Sequence, residues 1–133
     1  MATRFSALTP YVLALLRIVS AFLLIQHGTA KFFHYPHVAM FDAFQPMSLI
    51  GVAGVLELVG GFLLLIGLFT RPTAFVLSGF MAVAYFMAHA SKGGVLTPLL
   101  NGGELAVLYS FIFLLLSVSG AGRWSVDAAR SAA

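Results

Sequence analysis

The sequence contains no cysteine and few charged residues, and both shortages limit what the protein does. Without cysteine, the chain itself forms no disulfide, thiolate metal site, iron–sulfur cluster or thiol relay. Charged residues make up 8% of its 133 residues, whereas 61% are hydrophobic. An average soluble domain carries about 25% charged residues. We therefore expect an integral membrane protein, with lipid as its main solvent.

Four apolar segments are each long enough to cross a bilayer with some tilt, namely residues 11–33, 49–70, 72–90 and 103–119. They leave little more than connecting loops, so the sequence predicts one all-α domain over residues 1–133, an antiparallel bundle of four transmembrane helices. The net charge of +3 comes from cations beside the segment ends. Such cations are typical of topology signals, and no basic stripe for nucleic acid is present, which excludes nucleic-acid binding.

Lysine and arginine near the segment ends predict the orientation. Arg4, Arg71, Arg123 and Arg130 lie on the side of the termini, against Lys31 and Lys92 on the other side. Since positive residues are retained inside, both termini are expected in the cytoplasm. Tyr11 and Trp124 fit an aromatic belt on the terminal side. The very short second connection predicts a tight hairpin of the second and third spans.

Ionisable side chains inside a span are costly, so each indicates a partner or a function. At about 1.5 Å of rise per residue, one such residue from each span falls near the outer end of the bundle. These four residues are His27, Glu57, His89 and Glu104. If their faces turn inward, two imidazoles and two carboxyls converge, and the sequence therefore predicts a polar site there.

Helical spacing predicts which faces point inward. A stripe at i+3 and i+4 steps on the first span contains Arg17, Ser20, Leu24, His27 and Lys31, and we expect it to face protein. On the second span, small residues flank Glu57 and permit close helix approach. On the third, Tyr85 lies one turn below His89 and joins the candidate site. Asn101 is expected to cap the helix that begins near Glu104.

A short internal similarity relates the two halves. Residues 27–31 resemble residues 89–92, and residues 56–58 resemble residues 103–105. Two helical hairpins of equal orientation, related by a pseudo-twofold axis along the membrane normal, are the structure that such a repeat predicts.

Several motifs, in order across the four spans, resemble the DoxX family of small bacterial membrane proteins. They are Arg17, the His27-Gly28 pair with Lys31, Glu57 with Gly60-Gly61, residues 67–71, His89, residues 101–104 and the closing Gly120-x-Gly122-Arg123-x-Ser125-x-Asp127. The resemblance covers nearly the whole chain. It implies a four-helix bundle in the bacterial inner membrane. For some relatives it also implies membership in membrane oxidoreductase assemblies, including a thiosulfate:quinone oxidoreductase.

From the polar site and the resemblance together we expect a subunit of a membrane oxidoreductase that binds a quinone near the outer leaflet and receives electrons from a partner subunit. The candidate catalytic residues are His27, Glu57, Tyr85, His89 and Glu104. The candidate cofactor-binding residues are His27, His89, Arg17, Lys31 and Asn101.

Other interpretations stay open at this point. A haem held by His27 and His89 is the weaker cofactor alternative. No metal site is predicted: a di-metal carboxylate site is disfavoured because neither Glu57 nor Glu104 is followed by a histidine three residues later. His34, His37 and Asp42 in the first loop are only a weak signal for a surface metal. The alternative function is a non-enzymatic membrane subunit, or a carrier of protons or a small solute, whose polar layer is structural. The sequence also leaves the substrate, the electron donor and a homo-oligomeric state open.

Overall fold

The computed structural model describes residues 2–133, and within them every regular element is helical and there is no strand. The α-helices are α1 (Ala2–Ser6), α2 (Thr9–Phe33), α3 (Leu49–Ile66), α4 (Thr70–Ala84), α5 (Pro98–Asn101), α6 (Glu104–Ser119) and α7 (Val126–Ser131). A π-helical turn, Tyr85–His89, and a 3-10 turn, Ala90–Lys92, extend α4. Another 3-10 turn, Ala39–Phe41, lies in the first loop.

Three helical stretches are long and apolar enough to cross a membrane: Arg4–Phe33, Leu49–Ile66 and Thr70–Lys92. The fourth apolar helix, α6, has 16 residues. At 1.5 Å per residue it measures about 24 Å, which is shorter than the hydrocarbon core of about 30 Å.

Large apolar side chains cover the outside of the long helices. Phe22, Phe62, Phe75 and Phe111, one on each of α2, α3, α4 and α6, are 56%, 56%, 66% and 66% exposed. A protein surface of this kind requires an apolar solvent. Lipid is therefore the environment in which these helices pack.

The most extensive helix packing pairs α2 with α3 and α4 with α6. Small residues bring α2 and α3 together: a Cβ atom on Gly28 would lie 2.6 Å from Leu58 Cγ, and one on Gly61 would lie 2.7 Å from Ile25 Cγ1. The turn between α3 and α4 is short, as expected, but these two helices share less contact than the other two pairs. A short connection therefore does not make their packing the tightest.

Reciprocal hydrogen bonds join α4 to α6. Ser78 Oγ donates to the Ser110 carbonyl at 2.7 Å, and Ser110 Oγ donates to the Ser78 carbonyl at 3.0 Å. In lipid such interhelical bonds replace water as partners of the hydroxyl groups. The core around them contains Ala21, Leu24, Leu64, Ala74, Leu77, Met81, Tyr109, Phe113 and Leu116.

The predicted stripe on α2 faces protein, because Arg17, Ser20, Leu24 and Lys31 are buried and His27 is half-buried. Arg17 is fully buried and binds only backbone carbonyls. Its donors reach the carbonyls of Leu64, Leu65, Ala121, Arg123 and Trp124 at 2.7 to 3.2 Å. One guanidinium thus joins α2, the end of α3 and the segment after α6.

The rings of Tyr11 and Trp124 lie 5.6 Å apart, which confirms that they share one end of the molecule. We call this the terminal end: α2 begins there, α3 ends, α4 begins and α6 ends. The opposite end, with the loops after α2 and α4, is the loop end.

Candidate functional site

A buried ion pair lies between α2 and α3 near the loop end. Lys31 Nζ is 2.6 Å from Glu57 Oε1 and 2.5 Å from Glu57 Oε2, and the two side chains are 8% and 6% exposed. The ammonium also lies 5.2 Å from the centre of the Phe41 ring, in the loop above. Each charge neutralises the other in a region where an isolated charge is costly.

His27 and Tyr109 stand beside this ion pair. The His27 ring meets the Tyr109 ring edge-on with 6.2 Å between centres, and His27 Nδ1 lies 3.0 Å from the Leu23 carbonyl. The carboxylate of Glu57 is within electrostatic range of both rings. Tyr109 is 3% exposed, and its hydroxyl has no hydrogen-bond partner among the described residues. The cluster therefore contains one buried polar group that remains unsatisfied.

A second polar group forms where α4 ends. The hydroxyl of Tyr85 donates to the Val95 carbonyl at 2.6 Å and accepts from Asn101 Nδ2 at 3.0 Å. The His89 ring stacks on Tyr85 with 6.4 Å between centres, and His89 Nδ1 lies 3.2 Å from the Asn101 carbonyl. The π-helical turn, a feature frequent at functional sites, carries both Tyr85 and His89.

Asn101 connects this group to the start of α6 in a way that the sequence did not indicate. It was expected to cap the helix, but the residue at the cap position is Gly103, and Asn101 ends the short α5. Its Oδ1 accepts from the Gly103 N–H at 2.8 Å, and its Nδ2 also donates to the Gly94 carbonyl at 2.9 Å. Asn101 therefore fixes the loop that covers Tyr85.

A groove of about 430 Å³ opens between α4 and α6 on the lipid side. Tyr85 is one of its walls, and the others are Ala82, Phe86, Val95, Leu96, Pro98, Val107, Ser110 and Phe111. Hydrophobic side chains from both helices and from the loop form most of its walls, so the groove is largely apolar. The Tyr109 side chain points from α6 toward the interior of the bundle and does not line the groove.

The structure does not bring all the expected site residues together. His27 and Glu57 share one cluster, whereas Tyr85, His89 and Asn101 form another. Glu104 joins neither and is exposed. The buried face of α6 contains Ala106, Tyr109, Phe113 and Leu116 at helical spacing, and two residues before Ala106 the helix has turned by about 200°. Glu104 therefore points away from the interior.

Arg17 lies at the terminal end and so away from both polar groups. Lys31, expected on the protein-facing stripe and among the cofactor-binding residues, is buried against Glu57. The sequence offered one sign of this pairing, because a carboxyl buried in lipid requires a cation. The sequence gave a weaker sign that Tyr109 belongs to this cluster, because its hydroxyl lies three residues after Ala106 on a largely apolar span.

The first loop carries a separate exposed pair, in which His37 Nε2 lies 2.8 Å from Asp42 Oδ1. Among the described residues, no group of three or more histidine, aspartate or glutamate side chains is arranged to hold a metal ion.

Comparison with known proteins agrees with the motifs in the sequence. The family model described as DoxX matches residues 12–90. An uncharacterized protein of Haemophilus influenzae is 53% identical over 123 residues, which are 89% of this chain and 90% of that protein. Inner membrane protein YqjF of Escherichia coli is 31% identical over 118 residues, 84% of this chain and 85% of that protein. No solved structure matches the chain significantly. The chain thus belongs to the DoxX family of membrane proteins.

Proposed function

We propose that the protein crosses the bacterial inner membrane four times as an antiparallel bundle of two similar hairpins, with both termini in the cytoplasm. The pairing of α6 with α4 supports the fourth crossing: contacts run from Tyr85 beside Gly103 to Arg71 beside Val118. Because α6 accompanies a helix long enough to cross, it reaches about the same depth. The excess of arginine at the terminal end supports the orientation, and the relative YqjF is named an inner membrane protein.

We further propose that the protein is a quinone-binding subunit of a membrane oxidoreductase assembly. The observation that carries this proposal is the apolar groove between α4 and α6, which opens to lipid and has the Tyr85 side chain in its wall. A quinone is apolar except for its two carbonyl oxygens, and it accepts two electrons and two protons. An apolar groove beside a few polar groups is the usual form of such a binding site.

The residues of this chain would hold and orient the ring. The Tyr85 side chain lines the groove, and its hydroxyl, which donates to the Val95 carbonyl and accepts from Asn101, would turn its proton to a quinone oxygen on binding. His89 Nδ1 faces the Asn101 carbonyl and therefore carries the proton of the neutral ring, which leaves Nε2 as the nitrogen with a free lone pair. The loop residues Val95 and Leu96 shield this place from water. Since the chain has no cysteine for a thiol relay, electrons would come from a partner subunit.

The first test is quinone binding by the full chain in lipid nanodiscs. We expect quinone in a lipid extract of the gently purified protein. An Ala82→Phe substitution fills the groove while keeping the Tyr85 hydroxyl and should abolish binding, while His89→Ala should weaken it. Gly79→Phe is the matched control on the same helix, because a Cβ atom at Gly79 meets nothing within 4 Å. If no quinone is extracted, and Ala82→Phe and Gly79→Phe bind an added short-chain quinone equally, the proposal is wrong.

A second candidate is a non-enzymatic membrane subunit or a carrier of protons or a small solute. The closed Lys31–Glu57 ion pair favours it, because both carboxylate oxygens are already occupied by the ammonium. In that case a Glu57→Leu substitution chiefly lowers stability or transport and leaves redox turnover untouched. An absorption spectrum of the same preparation tests the haem alternative, in which His27 and His89 would be the ligands.

A further inference from the structure

A second groove lies at the terminal end, at the opposite side of the membrane from the Tyr85 groove. Its volume is about 570 Å³, and its walls come from the start of α4, the segment after α6, and α7. The side chains that matter for its chemistry are Thr70, Arg71, Asp127 and Arg130. Two of them are cations, and none of them takes part in the function proposed above.

Arg71 retains free donors that a ligand can use. Its Nη1 donates to the Ser117 and Val118 carbonyls, and its Nη2 donates to the Ser119 carbonyl at 3.5 Å. A guanidinium has five N–H groups. One N–H on Nη2 and the N–H on Nε therefore remain without a partner among the described residues. The same contacts hold the guanidinium in place at the carboxyl end of α6.

Arg130 contributes a second cation from α7. Its guanidinium lies 5.4 Å from the centre of the Phe69 ring, which fixes its position over the groove. No hydrogen bond from this guanidinium to any described residue is present, so all five donors are available.

Asp127 is the one acidic side chain in the groove, and its charge is already partnered. Oδ1 accepts from the Phe69 N–H at 2.9 Å, and Oδ2 accepts from the Thr70 N–H at 2.8 Å. These N–H groups belong to the start of α4, where the helix dipole favours a negative charge. The carboxylate thus weakens the positive potential of the two arginines but does not cancel it.

The hydroxyl of Thr70 is buried in the groove wall. Thr70 is 1% exposed, and its Oγ1 makes no hydrogen bond of good geometry with any described residue, but it lies close enough to the Asp127 carboxylate to help lower the pKa of that group. A small rotation of the side chain would let this hydroxyl donate either to Asp127 or to a ligand in the groove.

We propose that this groove binds the phosphate group of an anionic membrane lipid. Two guanidinium groups and a hydroxyl match the donors that phosphate oxygens require. The position fits the interface, because the Tyr11–Trp124 pair, typical of headgroup level, lies at the same end. Basic pockets between helices on the cytoplasmic side are a known way in which proteins hold anionic headgroups.

The experiment compares lipid binding by the full chain in neutral detergent, followed by native mass spectrometry and thermal unfolding. The probes are short-chain phosphatidylglycerol, phosphatidylcholine of equal chain length, and inorganic phosphate. We expect phosphatidylglycerol to bind most tightly and to raise the unfolding temperature. Arg130→Gln should weaken its binding about fivefold, the value of one interfacial cation. Arg123→Gln, the matched loss of charge outside the groove, should leave binding unchanged.

Four results would contradict the proposal. Equal weakening by Arg130→Gln and Arg123→Gln would show a diffuse effect of charge. Equal binding of the two lipids would remove the preference for an anion, and equal binding of inorganic phosphate would assign the site to a free ion. Thr70→Val tests the hydroxyl without affecting the charge: the folded variant should bind phosphatidylglycerol less tightly than the wild type. A folded Thr70→Val variant that binds as tightly as the wild type contradicts the proposed geometry.

Discussion

The two ends of the helical bundle satisfy their buried charges in different ways. At the terminal end, Arg17 donates to no carboxylate of the described residues and is held by five backbone carbonyls from α3 and the segment after α6, with Asp127 in electrostatic range only. At the loop end, the charges of Lys31 and Glu57 satisfy each other. At the terminal end the partner is the backbone itself. The burial of the Arg17 charge and the packing of α2, the end of α3 and the segment after α6 therefore depend on each other.

Arg17 therefore positions segments of the chain, whereas Lys31 and Glu57 balance each other's charge. Backbone carbonyls cannot be mutated away, and they fix where the C-terminal segment lies. A pair of side chains can be removed together, leaving apolar surface that suits the interior of a membrane protein. The loop end is therefore more tolerant of change than the terminal end, provided that both charges change at once.

The largest effect is expected from Arg17→Met. This substitution removes the side-chain donors of five carbonyls, of which that of Leu64 keeps the Gly67 N–H, and should lower the free energy of unfolding by about 4 kcal/mol or more. Chemical unfolding in detergent micelles measures the loss. Arg17→Lys is the control, since it keeps the charge but offers only one nitrogen for carbonyls of separate segments. If Arg17→Lys is as stable as the wild type, charge alone matters and the comparison between the ends fails.

The next effect is expected at the ion pair. Glu57→Leu leaves Lys31 buried without a partner and should cost about 3 kcal/mol, and Lys31→Met should cost a similar amount. The double variant Lys31→Met/Glu57→Leu should recover most of the loss, because it leaves no uncompensated charge. A double-mutant cycle in the same micelles measures the coupling. Costs that simply add would show that the two residues do not act as a pair.

The smallest effect concerns pH and tests the terminal end again. Burial opposes ionisation of Asp127, but the backbone N–H groups of Thr70 and Phe69, the nearby Thr70 hydroxyl and the charge of Arg130 outweigh it and hold its pKa below the ordinary value of 3.8. A lowered pKa means that the stabilisation is complete above the ordinary value and is lost as pH falls through the lowered one. We expect the free energy of unfolding of the wild type to exceed that of Asp127→Asn by about 1 kcal/mol near neutral pH.

Unfolding curves of both proteins between neutral and acidic pH check this sign, and the difference should shrink only below about pH 4. Ser131→Ala removes a neighbouring hydroxyl that does not titrate, so its difference from the wild type should not change with pH. A difference between the wild type and Asp127→Asn that grows as the pH falls would mean that the carboxylate is not stabilised by the start of α4.

Much of the fold could be predicted from the sequence, for reasons visible in particular residues. The long apolar runs predict helices because lipid offers no partner for free backbone groups. The polar stripe through Arg17 and Lys31 predicts the buried face of α2 because that helix has one polar side. On α6 the same reasoning fails: large apolar residues lie on every side of the helix, so its pattern gives only a weak sign that Tyr109 faces inward and none that Glu104 faces outward.

The candidate site was harder to predict than the helices. Depth along each helix placed His27, Glu57, His89 and Glu104 in one layer, but depth carries no information on rotation about the helix axis. Nor does it specify which neighbour a helix contacts. The packing of α2 against α3 makes Lys31 the partner of Glu57. The packing of α4 against α6 makes Asn101 the partner of Tyr85 and His89.

By itself the sequence determined that this is a helical membrane protein of the DoxX family, where its apolar helices lie, and which polar side chains need partners. Hydropathy and periodicity are properties of each segment, so they can be read along the chain. Only the tertiary structure decided which groups those partners are: carbonyls for Arg17, a carboxylate for Lys31, and backbone N–H groups for Asp127. Such pairings depend on how helices distant in sequence rotate and pack, and close packing selects one arrangement among many that satisfy the same hydropathy.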